Sequence, residues 1–299
     1  MINFYEQIER NKIRSAFIVT GFVVFVIAAA YLITYSLNLD NSFLIGAIFF
    51  SIISTTTSYF YGDQIVILLN KAIPADRKKY FNFYTVTENL AMANKTPMPK
   101  IYVIESDAMN AFATGRDPQH ATVCATTGLL DKLNRTQLEG VIAHELSHIK
   151  NYDIRLMMIV SILIGTISIL TNIASRSMFF GGNRRRNNDD NGGFGAILAL
   201  IGIILMIFAP LIARLVQFAI SRQREFLADA SSVKLTRQPS GLIEALEIIS
   251  KDSNILESAS TATASLYISN PFSKENKLAT LFSTHPPVTA RIKALREML

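Results

Sequence analysis

The hydrophobic residues of this chain are concentrated in four long blocks that carry almost no charge. The blocks cover residues 16–37, 43–60, 156–173 and 194–216. Each block approaches the roughly 17–25 residues that a helix needs to cross about 30 Å of hydrocarbon. The pattern therefore predicts four transmembrane helices arranged as two hairpins, with polar residues between and after them.

Basic residues flank these blocks and indicate how the chain is oriented. They lie at positions 10–14 before the first block and at positions 71–79 after the second block. The positive-inside rule then places the N-terminus, and everything after the second block, in the cytoplasm. The loop 174–193 contains the run 184–186 of three arginines, which opposes this rule, so a second hairpin that crosses the membrane only partly stays an alternative. The net charge of +6 is thus explained by membrane topology rather than by nucleic-acid binding.

The polar stretches between and after the blocks together reach the size of one ordinary domain. We predict a cytoplasmic domain of the α+β class, mostly α, in which short strands precede several helices. The predicted strands are 100–104, 111–113 and 121–125, and two of the helices are 242–249 and 288–299. The predicted divisions are 1–60 for the first transmembrane hairpin, 61–155 for the first part of the domain, 156–216 for the second hairpin with a flexible loop at 174–193, and 217–299 for the second part.

The pentapeptide HELSH at residues 144–148 is the clearest chemical signal in the chain. On a helix, positions i and i+4 share one face, so His144 and His148 can bind the same metal ion. Glu145 is rotated by about 100° and can face a metal-activated water as a general base. The pattern Thr136-x-x-Glu139 predicts a capping box at the start of this helix, and we expect the helix to continue into the third block.

Two histidines leave a catalytic zinc site incomplete, because such sites usually have three protein ligands. The candidates are His120, His285 and carboxylates that follow the fourth block. Glu225 and Asp229 share one face of the helix predicted at 217–230, which a hairpin returns to the side of HELSH. Glu225 is therefore the predicted third ligand, and Asp229 can accept a hydrogen bond from a liganding histidine. The alternative is that Glu225 forms ion pairs with neighbouring basic residues on a solvated face.

The combination of HELSH with the sequence EFLAD at residues 225–229 resembles the HtpX-type membrane zinc metalloproteases, relatives of the eukaryotic CAAX prenyl proteases. NAFATG at residues 110–115 and His285-Pro286-Pro287 with Arg291 are similar to further motifs of that family. The resemblance implies one Zn²⁺ per chain, a gluzincin-like domain and an active site facing the cytoplasm of a bacterial cell. It also implies that Asn110 and Ala111 bind substrate and that His285 and Arg291 stabilise the oxyanion.

The resulting hypothesis is a multi-pass endopeptidase of the inner or plasma membrane. Glu145 would take the proton of the attacking water and deliver it to the leaving amine. The resemblance implies polypeptide substrates, namely misfolded or damaged membrane proteins that are cut at cytoplasmic segments under stress. The alternatives are a prenyl-protein protease, an intramembrane site-2-type protease and a non-catalytic zinc-binding scaffold. The sequence does not indicate an oligomeric state.

Overall fold

The structure is a computed structural model, and it describes a large part of the chain. The described ranges are 4–36, 40–163, 222–260, 263–272 and 286–298. Three predictions fall outside them, namely the flexible loop 174–193, the apolar block 194–216 and the role of His285. The block 156–173 is described only as far as residue 163.

Two long helices form the first part of the chain and pack against each other. Helix α1 is Phe4–Ser36 and helix α2 is Asn41–Leu69, so α2 continues past position 60. Large apolar side chains such as Phe17 and Phe49 are exposed on their surfaces, as expected for helices that contact lipid. Within the described ranges, the segment Leu44–Leu69 has the length and apolar composition to cross a membrane.

A four-stranded sheet lies on one side of the domain that follows. The strands are β1 Ile73–Pro74, β2 Lys100–Ile104, β3 Ala111–Gly115 and β4 Ala121–Thr126. Their order in the sheet is β1-β2-β4-β3, in which β2 and β4 are parallel and the other two pairs are antiparallel. Strand β3 is therefore at an edge of the sheet.

Helices make up most of the remaining described residues, which confirms the predicted α+β class with a high helical content. The helices are α3 Phe81–Asn94, α4 Thr127–Lys132, α5 Arg135–Lys150, α6 at 153–163, α7 Arg222–Thr236, α8 Pro239–Lys251 and α9 Val288–Arg296. Helix α5 is at the centre, where it contacts α3, α7, α8 and strand β3.

The start of α5 differs from the predicted one. A capping box is present, but its members are Asn134 and Gln137, whose side chains each bond the other's backbone N–H at 3.0 Å. The predicted box at Thr136 and Glu139 is wrong, because the helix begins one residue before Thr136. Both patterns satisfy the same spacing rule, and asparagine is among the best N-cap residues.

The end of α5 also differs from the prediction, since the helix does not continue into the third block. It ends at Lys150, and Tyr152 adopts a left-handed conformation with φ of 60°. A new helix, α6, begins at Asp153. A residue in the left-handed conformation commonly ends a helix. After the turn 151–152, Asp153 lies beside the last turn of α5, where its Oδ2 is 3.0 Å from Nδ1 of His148.

Gly140 marks the closest approach between α5 and the beginning of α8. A Cβ atom at this position would lie 2.6 Å from the backbone nitrogen of Leu242 and 2.8 Å from its Cα. We expect Gly140→Ala to lower the free energy of unfolding by about 1–3 kcal/mol, because the backbones must separate. This net loss already includes the gain of about 1 kcal/mol in helix propensity that alanine brings.

Chemical denaturation of the full chain in detergent measures this effect. Gly46→Ala is the matched control, because a Cβ at this helical glycine would meet nothing within 4 Å. An unchanged stability of Gly140→Ala would contradict the close contact between the two helices.

Candidate active site

His144 and His148 lie one turn apart on the buried helix α5. Their Nε2 atoms are 3.1 Å apart, and the ring planes are nearly perpendicular at 88°. Both side chains are almost inaccessible to solvent. Two imidazole nitrogens that converge at this distance can coordinate one cation together.

Helix α7 runs beside α5 and brings Glu225 to the same point. Its Oε2 lies 3.6 Å from Nε2 of His144, and its Oε1 lies 3.5 Å from Nε2 of His148. Glu225 is 3% exposed, so it does not lie on a solvated face. Ligand atoms at about 2.0–2.1 Å from a tetrahedral zinc would be about 3.4 Å apart. The three donors therefore form a triangle of the size that such an ion requires.

Each histidine is oriented by a carboxylate at its other ring nitrogen. Oδ1 of Asp229 is 2.9 Å from Nδ1 of His144, and Oδ2 of Asp153 is 3.0 Å from Nδ1 of His148. A carboxylate at Nδ1 holds a proton there and leaves the Nε2 lone pair for a metal. The two histidines thus have matching supports that come from different helices.

Asp153 is a residue of the candidate site that the sequence did not predict. Its position depends on the left-handed turn at Tyr152, which has no strong sequence signal. The available signal was an acidic residue five positions after His148, at the start of the next apolar helix. Such a residue reaches back to the histidine only if the first helix ends between them.

Arg291, on helix α9, lies next to His144 and is completely buried. Its Nε and Nη2 donate to the two oxygens of Asp229 at 2.9 and 2.7 Å. Its Nη1 lies 3.7 Å from Oε2 of Glu225 and donates to the carbonyl oxygen of Ile268 at 3.3 Å. The guanidinium is thus part of the charge network that surrounds the three donors.

The environments of the two histidines shift their pKa values in opposite directions. Burial and the positive charge of Arg291 lower the pKa of His144 to about 4, against the bond to Asp229. Burial also opposes protonation of His148, but its bond to Asp153 and the charge of Glu225 raise its pKa to about 9. For Asp229, burial is outweighed by the charge of Arg291, and the carboxyl pKa is lowered. A metal at His148 must therefore displace a proton, while His144 is already neutral.

The buried charges of the described residues all belong to this site, and they leave a negative excess. With His148 neutral, as it is when it binds a metal, two guanidinium groups, of Arg224 and Arg291, face four carboxylates. Burial of uncompensated charge is costly, so a divalent cation would balance the cluster. The buried carboxylates are those of Glu145, Asp153, Glu225 and Asp229.

Asn110 and Ala111, the predicted substrate-binding residues, lie at the start of edge strand β3, and a segment of the same chain covers them. Nδ2 of Asn110 donates to the carbonyl of Ser269 at 3.0 Å, and the backbone N–H of Ile268 donates to the carbonyl of Ala111 at 2.9 Å. Phe112 forms a β-bridge with Tyr267. The first half of this edge is thus paired with residues 267–269.

The sequence profile of Peptidase family M48 matches residues 82–299, which include α5, α7 and α9. The chain belongs to this family. The resemblance inferred from HELSH and EFLAD is thereby confirmed.

Relatives of this M48 peptidase cover almost its whole length. A protease HtpX homolog of Caldanaerobacter subterraneus is 42% identical over 294 residues, which is 98% of this chain and 97% of that protein. One of Streptococcus equi is 45% identical over 302 residues, with 98% and 99% covered. The crystal structure of Ste24p from S. mikatae has a TM-score of 0.51 at 20% identity, covering 99% of this chain and 66% of that one. This last likeness shows a shared fold.

Family and relatives together make the chain a membrane-bound metalloprotease that acts on polypeptides. A metal cofactor follows from the family. The donors that fit it are His144, His148 and Glu225, whose ligand atoms all lie within 4.8 Å of one another.

Proposed function

We propose that this M48 peptidase is a zinc-dependent endopeptidase and that His144, His148 and Glu225 hold the ion. The observation that supports the proposal is the buried triangle of two imidazoles and one carboxylate, in which a carboxylate orients each imidazole. Two nitrogens and one oxygen with a fourth position open form a donor set that catalytic zinc commonly takes. When bound, zinc would supply Lewis-acid activation of a water molecule and of the substrate carbonyl.

Glu145 is the proposed general base. It follows His144 directly on α5, is 2% exposed and is not one of the three clustered donors. Its carboxylate accepts the proton of the attacking water and returns it to the leaving amine nitrogen. Its negative charge contributes to the raised pKa of His148, which supports a position of its carboxylate near the clustered donors.

Arg291 and Asp229 are proposed to hold His144 in position. The guanidinium neutralises Asp229 through two hydrogen bonds, and Asp229 in turn bonds Nδ1 of His144. Burial lowers the pKa of His144, and the guanidinium of Arg291, whose Nη2 lies 3.4 Å from the His144 ring, lowers it further, so both favour the neutral imidazole. The predicted oxyanion role of His285 stays a proposal, since that residue lies outside the described ranges.

The substrates are proposed to be misfolded or damaged membrane proteins, cut at segments that reach the cytoplasm. Support comes from the two apolar helices, whose exposed side chains suit lipid, and from the basic residues at 10–14 and 71–79. The positive-inside rule, applied to these basic residues, favours a cytoplasmic location for the domain and for its site. We retain two transmembrane hairpins, with divisions at 1–60, 61–155, 156–216 and 217–299, as part of this proposal.

Removal of the metal tests the proposal. We expect a strong chelator to abolish cleavage of casein by the detergent-solubilised chain, and stoichiometric Zn²⁺ to restore it. Elemental analysis of the purified protein should find one zinc per chain. Glu225→Ala should lose this zinc, whereas Glu244→Ala should keep it, because Glu244 bonds Gln137 on α5 outside the metal cluster. Proteolysis that survives complete metal removal would refute the proposal.

A further inference from the structure

Helix α1 reaches the metal site through one buried polar side chain, that of Asn11. This residue is 2% exposed, although most of its neighbours on α1 are exposed or half-buried. Its Nδ2 donates to Oδ1 of Asp153 at 2.7 Å and to the carbonyl oxygen of Asn151 at 2.9 Å. Its Oδ1 accepts from Nη1 of Arg224 at 3.3 Å. A buried amide with partners at both ends is held in one orientation.

The other oxygen of Asp153 supports the ligand His148. Oδ2 of Asp153 is 3.0 Å from Nδ1 of His148, while Oδ1 faces Asn11. A carboxylate whose two oxygens are bound to different groups cannot rotate without losing one of them. A chain of hydrogen bonds thus runs from α1 through Asp153 to the imidazole.

Helix α1 also holds the turn on which Asp153 depends. Asn11 bonds the carbonyl of Asn151, and the Lys12 ammonium lies 4.8 Å from the centre of the Tyr152 ring. Tyr152 has a φ of 60°, a left-handed conformation that costs a residue with a side chain roughly 1–2 kcal/mol. Contacts of neighbouring residues must compensate for such strain. Two consecutive residues of α1 supply contacts of this kind.

We propose that Asn11 is a positioning residue for the metal ligand His148, acting through Asp153. The first apolar helix is then a structural part of the metal centre as well as a membrane anchor. This inference rests on the proposed metal site. Groups that orient a metal ligand typically change metal affinity by about 10–100-fold when they are removed. Asn11 is one bond further away, so we expect the lower end of that range.

The test measures the dissociation constant for Zn²⁺ of the full chain in detergent by competition with a chromophoric chelator. Asn11→Ala should bind Zn²⁺ about tenfold more weakly than the wild type. Ser15→Ala is the matched control, because Ser15 is buried on the same helix and, within the described residues, its hydroxyl donates to the carbonyl of Asn11. Its Zn²⁺ affinity should be unchanged.

A double-mutant cycle separates positioning from a general loss of structure. If Asn11 acts through Asp153, then Asn11→Ala should have no further effect on Zn²⁺ affinity once Asp153→Ala is present. A tenfold loss that persists in the Asp153→Ala background would overturn the inference. So would an affinity of Asn11→Ala equal to that of the wild type.

A second variant keeps the test decisive if Asn11→Ala does not fold. Asn11→Asp has nearly the same shape but no N–H groups to donate to Asp153, and we expect it to weaken Zn²⁺ binding as well. His148→Ala distinguishes the two hypotheses. If the wild type binds Zn²⁺ no better than His148→Ala, the proposed function fails. If His148→Ala loses Zn²⁺ and both Asn11 variants keep it, only the role of Asn11 is wrong.

Discussion

Replacing Glu145 with glutamine should lower the rate of peptide hydrolysis by about 10²–10⁴-fold, the range that a general base typically contributes. Glutamine has the same shape as glutamate but cannot accept the proton of the attacking water. Because Glu145 is not among the three clustered donors, the variant should still bind one metal ion per chain. Initial rates of casein cleavage, together with the metal content of the same samples, measure both quantities.

Glu139→Gln is the matched control for this variant. Glu139 lies on the same helix, six residues earlier, where its partly exposed side chain pairs with Arg135 at 3.0 Å. Its replacement should leave the rate unchanged, since a surface ion pair contributes little. A Glu145→Gln enzyme with the wild-type rate would exclude this residue as the base. A loss of metal would instead assign Glu145 to the coordination sphere.

Replacing Arg291 with methionine should lower the free energy of unfolding by about 3–5 kcal/mol, the usual effect of removing one member of a buried ion pair. Arg291 is 0% exposed, and it donates two hydrogen bonds to Asp229. Without it, the Asp229 carboxylate stays buried with His144 as its remaining partner. Burial raises the pKa of Asp229, and the charge of Arg291, together with the bond to His144, lowers it, so that pKa should rise in the variant.

Denaturation of the full chain in detergent measures the effect, with Arg296→Met as the control. Arg296 is on the same helix, but its side chain is exposed and pairs with Glu247 on the surface, so the loss should stay below about 1 kcal/mol. The double variant Asp229→Asn with Arg291→Met should be more stable than Arg291→Met alone, because the buried carboxylate that loses its guanidinium partner is then replaced by a neutral amide. If Arg291→Met were as stable as Arg296→Met, the buried pair would not contribute as proposed.

The parts of the candidate site that lie on single helices could be predicted from local spacing. His144, Glu145 and His148 are within five residues of α5, and Glu225 and Asp229 are one turn apart on α7. Helical geometry alone decides which side chains in such a segment share a face. The sequence also predicts that α7 lies on the same side of the membrane as HELSH, because an apolar hairpin between them returns the chain to that side. The structure brings His144, His148 and Glu225 together and places Asp229 beside His144.

The end of α5 could not be predicted in this way. Apolar residues continue from the HELSH helix into the third block, so the periodicity indicates one helix where the structure has two. The left-handed residue between them is a tyrosine, whereas such positions usually hold glycine or asparagine. Contacts with Lys12 and Arg155 stabilise the tyrosine ring, and both depend on how the helices pack.

The pairing of strand β3 at the edge of the sheet could not be predicted from local sequence either. The sequence NAFATG indicates a strand, and strand β3 spans Ala111–Gly115. Whether its edge is open depends on another segment, since residues 267–269 are more than 150 positions away and bond Asn110 and Ala111. No pattern within either segment specifies that pairing.

Composition and the regular spacing of a helix are enough to specify the four apolar blocks, the helical placement of HELSH and EFLAD, and the M48 family. Three contacts follow from the packing of the folded chain instead: Asp153 bonds His148, Arg291 neutralises Asp229, and Asn11 of α1 joins this network. Each of these contacts joins side chains on different helices. Their distances are set by how the helices pack and by the cost of leaving a buried charge without a partner, and neither quantity can be read from spacing along the chain.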